Sequence, residues 1–214
     1  LPPASPGCMA PIAKKIRNMR ILINFFKKIF QNSYMVRSIV RRELETRYIG
    51  SMMGFFWAFL HPIIMTLMYS LIFSHFLKIK IQRLGAGALP PINFSVWLLA
   101  ALLPWTLFAE TVNRNCYIIL GNESLISKTV FPSEILPLTT LLANIVNHVI
   151  GLGILFAFMA ITGTATDYMV ITLPIYFALL LSFTLGMSWM VAALNVYLRD
   201  IGQMLQALLQ VWFF

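Results

Sequence analysis

The chain has 214 residues, of which 59% are hydrophobic and 11% are charged, and its net charge is +9. Its mean hydropathy is +0.81. Soluble domains carry roughly 25% charged residues, and disordered chains combine low hydrophobicity with high charge. The composition therefore excludes both classes and indicates an integral membrane protein.

The basic residues are concentrated at the start of the chain. A basic cluster beside the first hydrophobic span fixes that end in the cytoplasm and favours contact with anionic membrane lipids. Basic and aromatic residues do not alternate outside the hydrophobic stretches, so we expect no nucleic-acid partner. Ten of the 16 basic residues precede Gly50, namely Lys14, Lys15, Arg17, Arg20, Lys27, Lys28, Arg37, Arg41, Arg42 and Arg47.

The region before the first span divides into two parts. Residues 1–20 are expected to be a flexible segment, and they lack the charged and apolar regions of a signal peptide. Residues 21–47 are expected to form a cytoplasmic interfacial region that begins with an amphipathic helix, although a soluble helix packed on a partner is an alternative. The apolar residues of that helix recur at i, i+3, i+4, i+7 and i+8 and are Leu22, Phe25, Phe26, Ile29 and Phe30.

Four nearly uncharged stretches are long enough to cross a hydrocarbon core, which requires about 20 residues. They are residues 48–77, 84–109, 135–166 and 168–198. A fifth apolar stretch follows Asp200 and stops at Phe214. At about 14 residues it is too short to span. We expect an all-α helical bundle over residues 48–214, truncated within a fifth span.

The charge distribution also predicts the topology. With the N-terminus in the cytoplasm, the connection over residues 122–134 is cytoplasmic and the hairpin over residues 162–167 lies outside. The three basic residues near position 80 oppose this orientation, but the larger N-terminal cluster should dominate.

Ionisable residues inside the predicted spans are candidates for function by default. Glu110 and Arg114 are spaced i, i+4 and can pair on one helix face, and a structural ion pair is favoured over a substrate site. His61 precedes Pro62, which should bend the first span. The full set is His61, His75, Glu110, Arg114 and His148.

The sequence contains no catalytic constellation. Its two cysteines, Cys8 and Cys116, form neither a disulfide framework nor a CxxC metal site. We therefore expect neither a catalytic residue nor a bound metal.

Aromatic residues line the first predicted span. Aromatic faces can stack on sugar rings, but residues at this spacing can equally face lipid or pack against other helices. The candidate channel aromatics are Phe55, Trp57, Phe59, Tyr69 and Phe73.

The connection between the second and third spans contains a short predicted helix. Asn122 can cap this helix, Leu125, Ile126 and Thr129 fall on one of its faces, and Pro132 ends it. A small rigid helix between two spans is a good lever for another protein to push, and a passive turn is the alternative.

Several stretches, in this order, resemble a known family. They are residues 42–51 with 54–57, His61 with Pro62, 69–73, 103–105 with Glu110, 119–137 and 193–202. Together they are similar to the membrane subunit of ABC-2-type exporters of the polysaccharide class, which move O-antigen, capsular polysaccharide or teichoic acid. The similarity extends over nearly all of the chain after Ile39.

The resemblance implies an arrangement of subunits. Family members have six spans and form a homodimer with two copies of a separate ABC ATPase subunit. Aromatic residues at the dimer interface face the passing glycan. The short helix between spans two and three docks on the ATPase.

The resemblance also implies roles for two groups of residues. The stretch near the cytoplasmic entrance contains Arg42, Arg47, Tyr48 and Gly50. The loop that couples the chain to the ATPase contains Asn122, Glu123, Leu125, Lys128, Phe131 and Pro132.

These features predict a permease subunit that moves a lipid-linked polysaccharide across the bacterial cytoplasmic (inner) membrane. A polysaccharide cannot cross lipid unaided because its hydroxyls would lose their water. The sequence has no GxxxxGK[ST] loop, so ATP and Mg²⁺ would be bound by the partner, and the chain itself needs no cofactor and is no enzyme.

Two other functions are considered. One is an ABC-2 permease for a lipid or a hydrophobic drug. The other is a membrane-embedded glycosyltransferase or acyltransferase. For the latter, Glu110 is the nearest catalytic candidate, and its pairing with Arg114 argues against a free base.

Overall fold

The fold was obtained as a computed structural model, which describes residues 33–48, 56–72, 94–128, 133–162 and 168–213. Every element in these residues is helical, as predicted. Two short 3-10 helices, Ser133–Ile135 and Tyr168–Thr172, precede α5 and α6. The α-helices are α1 (Ser33–Tyr48), α2 (Trp57–Ser70), α3 (Phe94–Gly121), α4 (Glu123–Lys128), α5 (Leu136–Thr162), α6 (Leu173–Tyr197) and α7 (Ile201–Phe213).

Three helices in the described residues are long and apolar enough to cross a membrane. They cover Val96–Gly121, Ser133–Ile161 and Val170–Tyr197, which correspond to the predicted second, third and fourth spans. The predicted first span is described only over residues 56–72, where α2 forms its helical part. The amphipathic helix predicted from Leu22 to Phe30 lies outside the described residues.

α3 is the central helix of the bundle. It packs along both α5 and α6 and also contacts α2 and α7. Phe108, Val112 and Cys116 recur every four residues on α3, so they share one face and meet Val191 of α6 and Leu209 of α7 in a buried cluster. α3 therefore positions most of the other helices, and all contacts described below lie within residues 40–214.

Three buried asparagines connect α3 to its neighbours. Asn144 of α5 donates from Nδ2 to Thr111 Oγ1 at 2.7 Å, and Asn195 of α6 donates to the Cys116 carbonyl at 2.8 Å. Asn115 of α3 donates to the Pro137 carbonyl at 3.2 Å. Because lipid offers no hydrophobic driving force between helices, such bonds help to fix helix position.

α3 continues through Pro104, and polar groups gather at the carbonyl that precedes this proline. Thr106 Oγ1 donates to the Leu103 carbonyl at 2.9 Å. His148 Nδ1 lies 3.2 Å from the same oxygen, and its ring stacks on Phe177. Among the predicted intramembrane histidines, His148 is therefore held in the helix packing. The side chain of His61 and all of His75 lie outside the described residues.

Two glycines lie where helices approach closely. A Cβ atom at Gly202, at the start of α7, would collide with the hydroxyl and ring of Tyr117 on α3. A Cβ atom at Gly151 of α5 would collide with the Leu103 side chain. In contrast, Gly186 of α6 faces open space. The absence of a side chain therefore matters at two of these positions.

Candidate functional site

Four charged side chains form a cluster between α1 and α3. Arg114 Nε lies 3.2 Å from Glu110 Oε1, and Arg114 Nη1 lies 3.2 Å from Glu43 Oε1. Arg47 lies between the two acids, at 3.4 Å from Glu110 and 3.6 Å from Glu43. We call Glu43, Arg47, Glu110 and Arg114 the charge cluster.

Burial makes Arg47 the central member of the charge cluster. Its side chain is 5% exposed, whereas the Glu110 and Arg114 side chains are 43% and 41% exposed. Removing one partner from a buried ion pair leaves an uncompensated charge and costs more than losing a surface pair. The cluster is therefore expected to hold the C-terminal part of α1 against α3.

The i, i+4 spacing from Glu110 predicts only its contact with Arg114. Arg47 was assigned from sequence to the cytoplasmic entrance, and the structure brings it against the pair. Nothing in the sequence joins the two groups, because the contacts depend on how α1 packs against α3.

Arg42 forms a second link, from α1 to the start of α4. Its Nη2 donates to Asn122 Oδ1 at 3.0 Å. By contrast, the neighbouring Arg41 donates from Nε to Glu45 Oε1 at 2.7 Å on the same helix, which raises the pKa of the Arg41 guanidinium above its ordinary value. Of the two adjacent arginines, Arg42 is the one whose described contact reaches Asn122, between α3 and α4.

Asn122 is the single residue between α3 and α4. Its backbone carbonyl accepts from the amides of Leu125 and Ile126 at 3.0 and 3.1 Å, so it occupies the N-cap position of α4. Its side chain does not cap the helix, and this part of the prediction is wrong. Oδ1 accepts from Arg42 instead, and Nδ2 donates to the Ile118 carbonyl at 2.9 Å, because the end of α3 is adjacent.

α4 presents one polar and one apolar face. Glu123, Ser124 and Ser127 are exposed, whereas Leu125 and Ile126 are half-buried. Lys128 is the last residue of α4, and its side chain is not described. The remaining predicted coupling residues, Phe131 and Pro132, lie outside the described residues, as does Thr129.

The other predicted site residues are described only in part. Trp57 and Phe59 of α2 are 44% and 38% exposed, which fits either a channel or lipid surface, so their role stays a prediction. Phe55, Phe73 and Gly50 lie outside the described residues, and the side chains of Tyr48 and Tyr69 are not described.

A cavity of about 1010 Å³ extends from the charge cluster toward α7. Five amide side chains line it, together with Trp57, Trp105 and Phe213. The sequence does not predict these amides as site residues, because single amides in apolar helices form no motif. The spacing of Gln206 and Gln210 by four residues was the available signal. The five amides are Asn113, Asn144, Asn147, Gln206 and Gln210.

Metal ligands do not cluster in the part of the chain that the structure describes. There, no group of three or more His, Cys, Asp or Glu side chains is placed to hold a metal ion. The polar groups of the site considered below are the paired charges of the charge cluster and the amides that line the cavity.

The fold and the site together define a polytopic α-helical membrane protein with a short helix, α4, joined to its central span. The chain belongs to the ABC-2 type transporter family, whose model matches residues 34–214.

Two relatives are similar to the chain in sequence over most of its length. It is 31% identical to the O-antigen export system permease protein RfbA of Myxococcus xanthus, over 90% of this chain and 70% of that protein. It is 25% identical to the protein of the same name from Klebsiella pneumoniae, over 82% of this chain and 64% of the relative.

A third relative is named for polysialic acid transport. The polysialic acid transport protein KpsM of Escherichia coli is 24% identical, over 84% of this chain and 67% of that protein. The chain thus spans about two thirds of the length of these relatives.

Proposed function

We propose that this chain is the permease subunit of an ATP-driven exporter that moves a lipid-linked polysaccharide of the O-antigen or capsular type. The observation that carries the proposal is its 31% identity to an O-antigen export permease over 90% of its length. Two further relatives are named for O-antigen export and polysialic acid transport. The chain acts in transport and is not itself an enzyme.

Energy for transport comes from a separate ABC ATPase subunit, which binds ATP and Mg²⁺. The sequence itself has no phosphate-binding GxxxxGK[ST] loop. In the proposed assembly two copies of the chain form a homodimer in the bacterial cytoplasmic membrane, with the N-terminus in the cytoplasm.

α4 is the proposed contact with the ATPase. Its Glu123 is exposed and therefore accessible to a partner, and its Leu125 is half-buried. Because Asn122 alone separates α4 from α3, a push on α4 displaces the end of a membrane span directly. Lys128, Phe131 and Pro132 extend the same proposed coupling loop.

The hydrogen bond between Arg42 and Asn122 provides a second connection between α4 and the membrane helices. It connects the start of α4 to α1, and α1 in turn contacts α3 through the charge cluster. We therefore assign Arg42, Arg47 and Tyr48, with Gly50 after them, to the cytoplasmic entrance that responds to ATPase motion.

The proposed function is tested by deleting the gene in its native host. Surface glycan should disappear, lipid-linked glycan should accumulate in the cytoplasmic leaflet, and the wild-type gene should restore both. Unchanged surface glycan in the deletion strain would overturn the proposal, and accumulation of a lipid or drug with normal glycan would favour a different ABC-2 substrate.

The role of α4 is tested in the same strain. Leu125→Asp should abolish export while the chain still inserts in the membrane, since the charge disrupts the apolar face of α4. Ser124→Ala, at an exposed position of the same helix, is the matched control and should restore surface glycan.

A further inference from the structure

The five amides of the cavity come from three helices. Asn113 lies on α3, Asn144 and Asn147 lie on α5, and Gln206 and Gln210 lie on α7. Both same-helix pairs are three or four residues apart, so each pair shares one helix face. Polar side chains in membrane helices face the bundle interior or a water-filled cavity and often mark substrate pathways. The convergence of these amides indicates a wet cavity.

Two of these amides still have unused acceptors. Asn144 is 2% exposed and uses Nδ2 in its bond to Thr111. Among the residues that the structure describes, Oδ1 of Asn144 and Oδ1 of Asn113 have no hydrogen-bond partner. A buried carbonyl-type oxygen requires a donor, and both of these oxygens belong to side chains that line the cavity.

The charges at the cavity do not favour an ionic ligand. The three charged residues that line it, Arg47, Glu110 and Arg114, all contact opposite charges within the charge cluster. The other polar side chains that line it are the five amides, the Thr106 hydroxyl and the His148 imidazole, which is stacked on Phe177 and lies 3.2 Å from the Leu103 carbonyl. A neutral ligand rich in hydroxyls therefore matches the cavity better than an anion or a cation does.

Aromatic rings add a surface suited to sugars. Trp105 lines the cavity and is held by Phe108, Trp212 and Phe213, with ring centroids 5.8 to 6.2 Å away. Trp57 contributes a partly exposed ring from α2. Indole faces can cover the apolar face of a pyranose ring while amides bind its hydroxyls. The volume of about 1010 Å³ is at the upper end of small-molecule pockets, which span roughly 300–1,000 Å³.

We propose that this cavity is a saccharide-binding site, in which the amides of α3, α5 and α7 bind hydroxyls of a pyranose unit and Trp57 or Trp105 covers its apolar face. The site is built from one copy of the chain. It rests on the proposed function, because the sugar it binds belongs to the exported glycan.

Cysteine labelling in native membranes that contain the ATPase subunit tests this site. Cys8→Ser is introduced, and the buried Cys116 gives the background rate. Gln206→Cys and Gln210→Cys are then treated with the charged, water-soluble reagent 2-sulfonatoethyl methanethiosulfonate. We expect each to react at least tenfold faster than Leu208→Cys, the matched control, whose parent residue is exposed on α7 and does not line the cavity.

Sugar binding is measured by comparing two membrane preparations. One comes from cells that make the glycan and carry a hydrolysis-deficient ATPase, so that the chain stalls in the transporter, and the other from cells that make no glycan. We expect the stalled glycan to slow labelling of Gln206→Cys at least fivefold and to leave Leu208→Cys unchanged. Only variants that retain at least half of wild-type surface glycan with a functional ATPase are compared. If one of the two glutamine variants does not meet this condition, the labelling comparison is made with the other.

Two results would overturn the proposal. Labelling of both glutamine positions as slow as that of Leu208→Cys would show that water does not enter the cavity. Fast labelling at the same rate with and without the stalled glycan would show that the cavity is hydrated but does not bind the sugar. Either result leaves the proposed function intact if deletion of the gene still removes surface glycan. Unchanged surface glycan after deletion would instead refute the proposed function itself.

Discussion

Arg42 and Asn122 are joined by a 3.0 Å hydrogen bond between positions 80 residues apart in the chain. Because Asn122 is the only residue between α3 and α4, this bond ties α1 to the point where α4 leaves the bundle. A displacement of α4 thus acts on α1 as well as on α3.

Arg42→Ala should uncouple ATP hydrolysis from export. The side chain is exposed and the bond contributes little to stability, so the assembled transporter should still hydrolyse ATP while surface glycan falls several-fold. Both activities are measured on the same strain. The matched control is Arg41→Ala, because Arg41 pairs only within α1 to Glu45 in the described contacts.

A double-mutant cycle sharpens this prediction. If Arg42 acts through Asn122, the double variant Arg42→Ala/Asn122→Ala should lose no more export than Asn122→Ala alone. Additive losses would show that Arg42 acts elsewhere.

Arg47→Gln should destabilise the protein. Loss of the 5% exposed guanidinium leaves Arg114 as the remaining described cation that faces Glu43 and Glu110. Breaking a fully buried pair costs about 3–5 kcal/mol, and we expect about 2 kcal/mol here because the acids remain partly solvated. The thermal unfolding midpoint of the purified protein measures the effect, and Arg41→Gln, with an 80% exposed side chain, should leave it unchanged.

Gly202→Ala should destabilise the contact between α3 and α7. The new methyl group would force the Tyr117 ring to move, and overpacking costs about 1–3 kcal/mol. Tyr117 is partly exposed, so we expect a net loss of about 1 kcal/mol.

Gly186→Ala is the matched control for Gly202→Ala. It meets no atom within 4 Å and should gain about 0.5 kcal/mol from its higher helix propensity. Equal unfolding midpoints for the two variants would contradict the packing inferred at Gly202.

Asn195→Ala should weaken the packing of α6 on α3. It removes the 2.8 Å bond to the Cys116 carbonyl, and side-chain hydrogen bonds between membrane helices average about 0.6 kcal/mol. We expect about 1 kcal/mol, since the residue is fully buried. Ser182→Ala, which loses only an exposed bond to the Ala178 carbonyl of its own helix, should leave the unfolding midpoint unchanged.

Local regularities of the sequence account for the part of the structure that could be predicted. Apolar length identified the three described spans, and the four-residue spacing identified the neighbours Glu110 and Arg114. A short helix between the second and third spans was also expected, and α4 occupies that position. These features depend on residues close together in the chain.

The contacts that could not be predicted from the sequence join residues that are distant in the chain. The contacts of Arg47 with Glu110 and of Arg42 with Asn122 depend on where the C-terminal part of α1 lies relative to α3. The predicted side-chain cap of α4 by Asn122 is wrong for the same reason. Its Oδ1 accepts a hydrogen bond from Arg42 of α1, a residue distant in the chain.

The charge cluster has an electrical consequence. α1 contributes one acid and one base to it, Glu43 and Arg47, and α3 likewise contributes Glu110 and Arg114. Moving a full charge through the membrane potential changes the energy by about 2.3 kcal/mol per 100 mV. Since each helix brings a neutral pair, sliding α1 past α3 moves no net charge from this cluster through the field. The charge cluster itself therefore contributes no gating charge to a relative movement of α1 and α3, whatever the membrane potential.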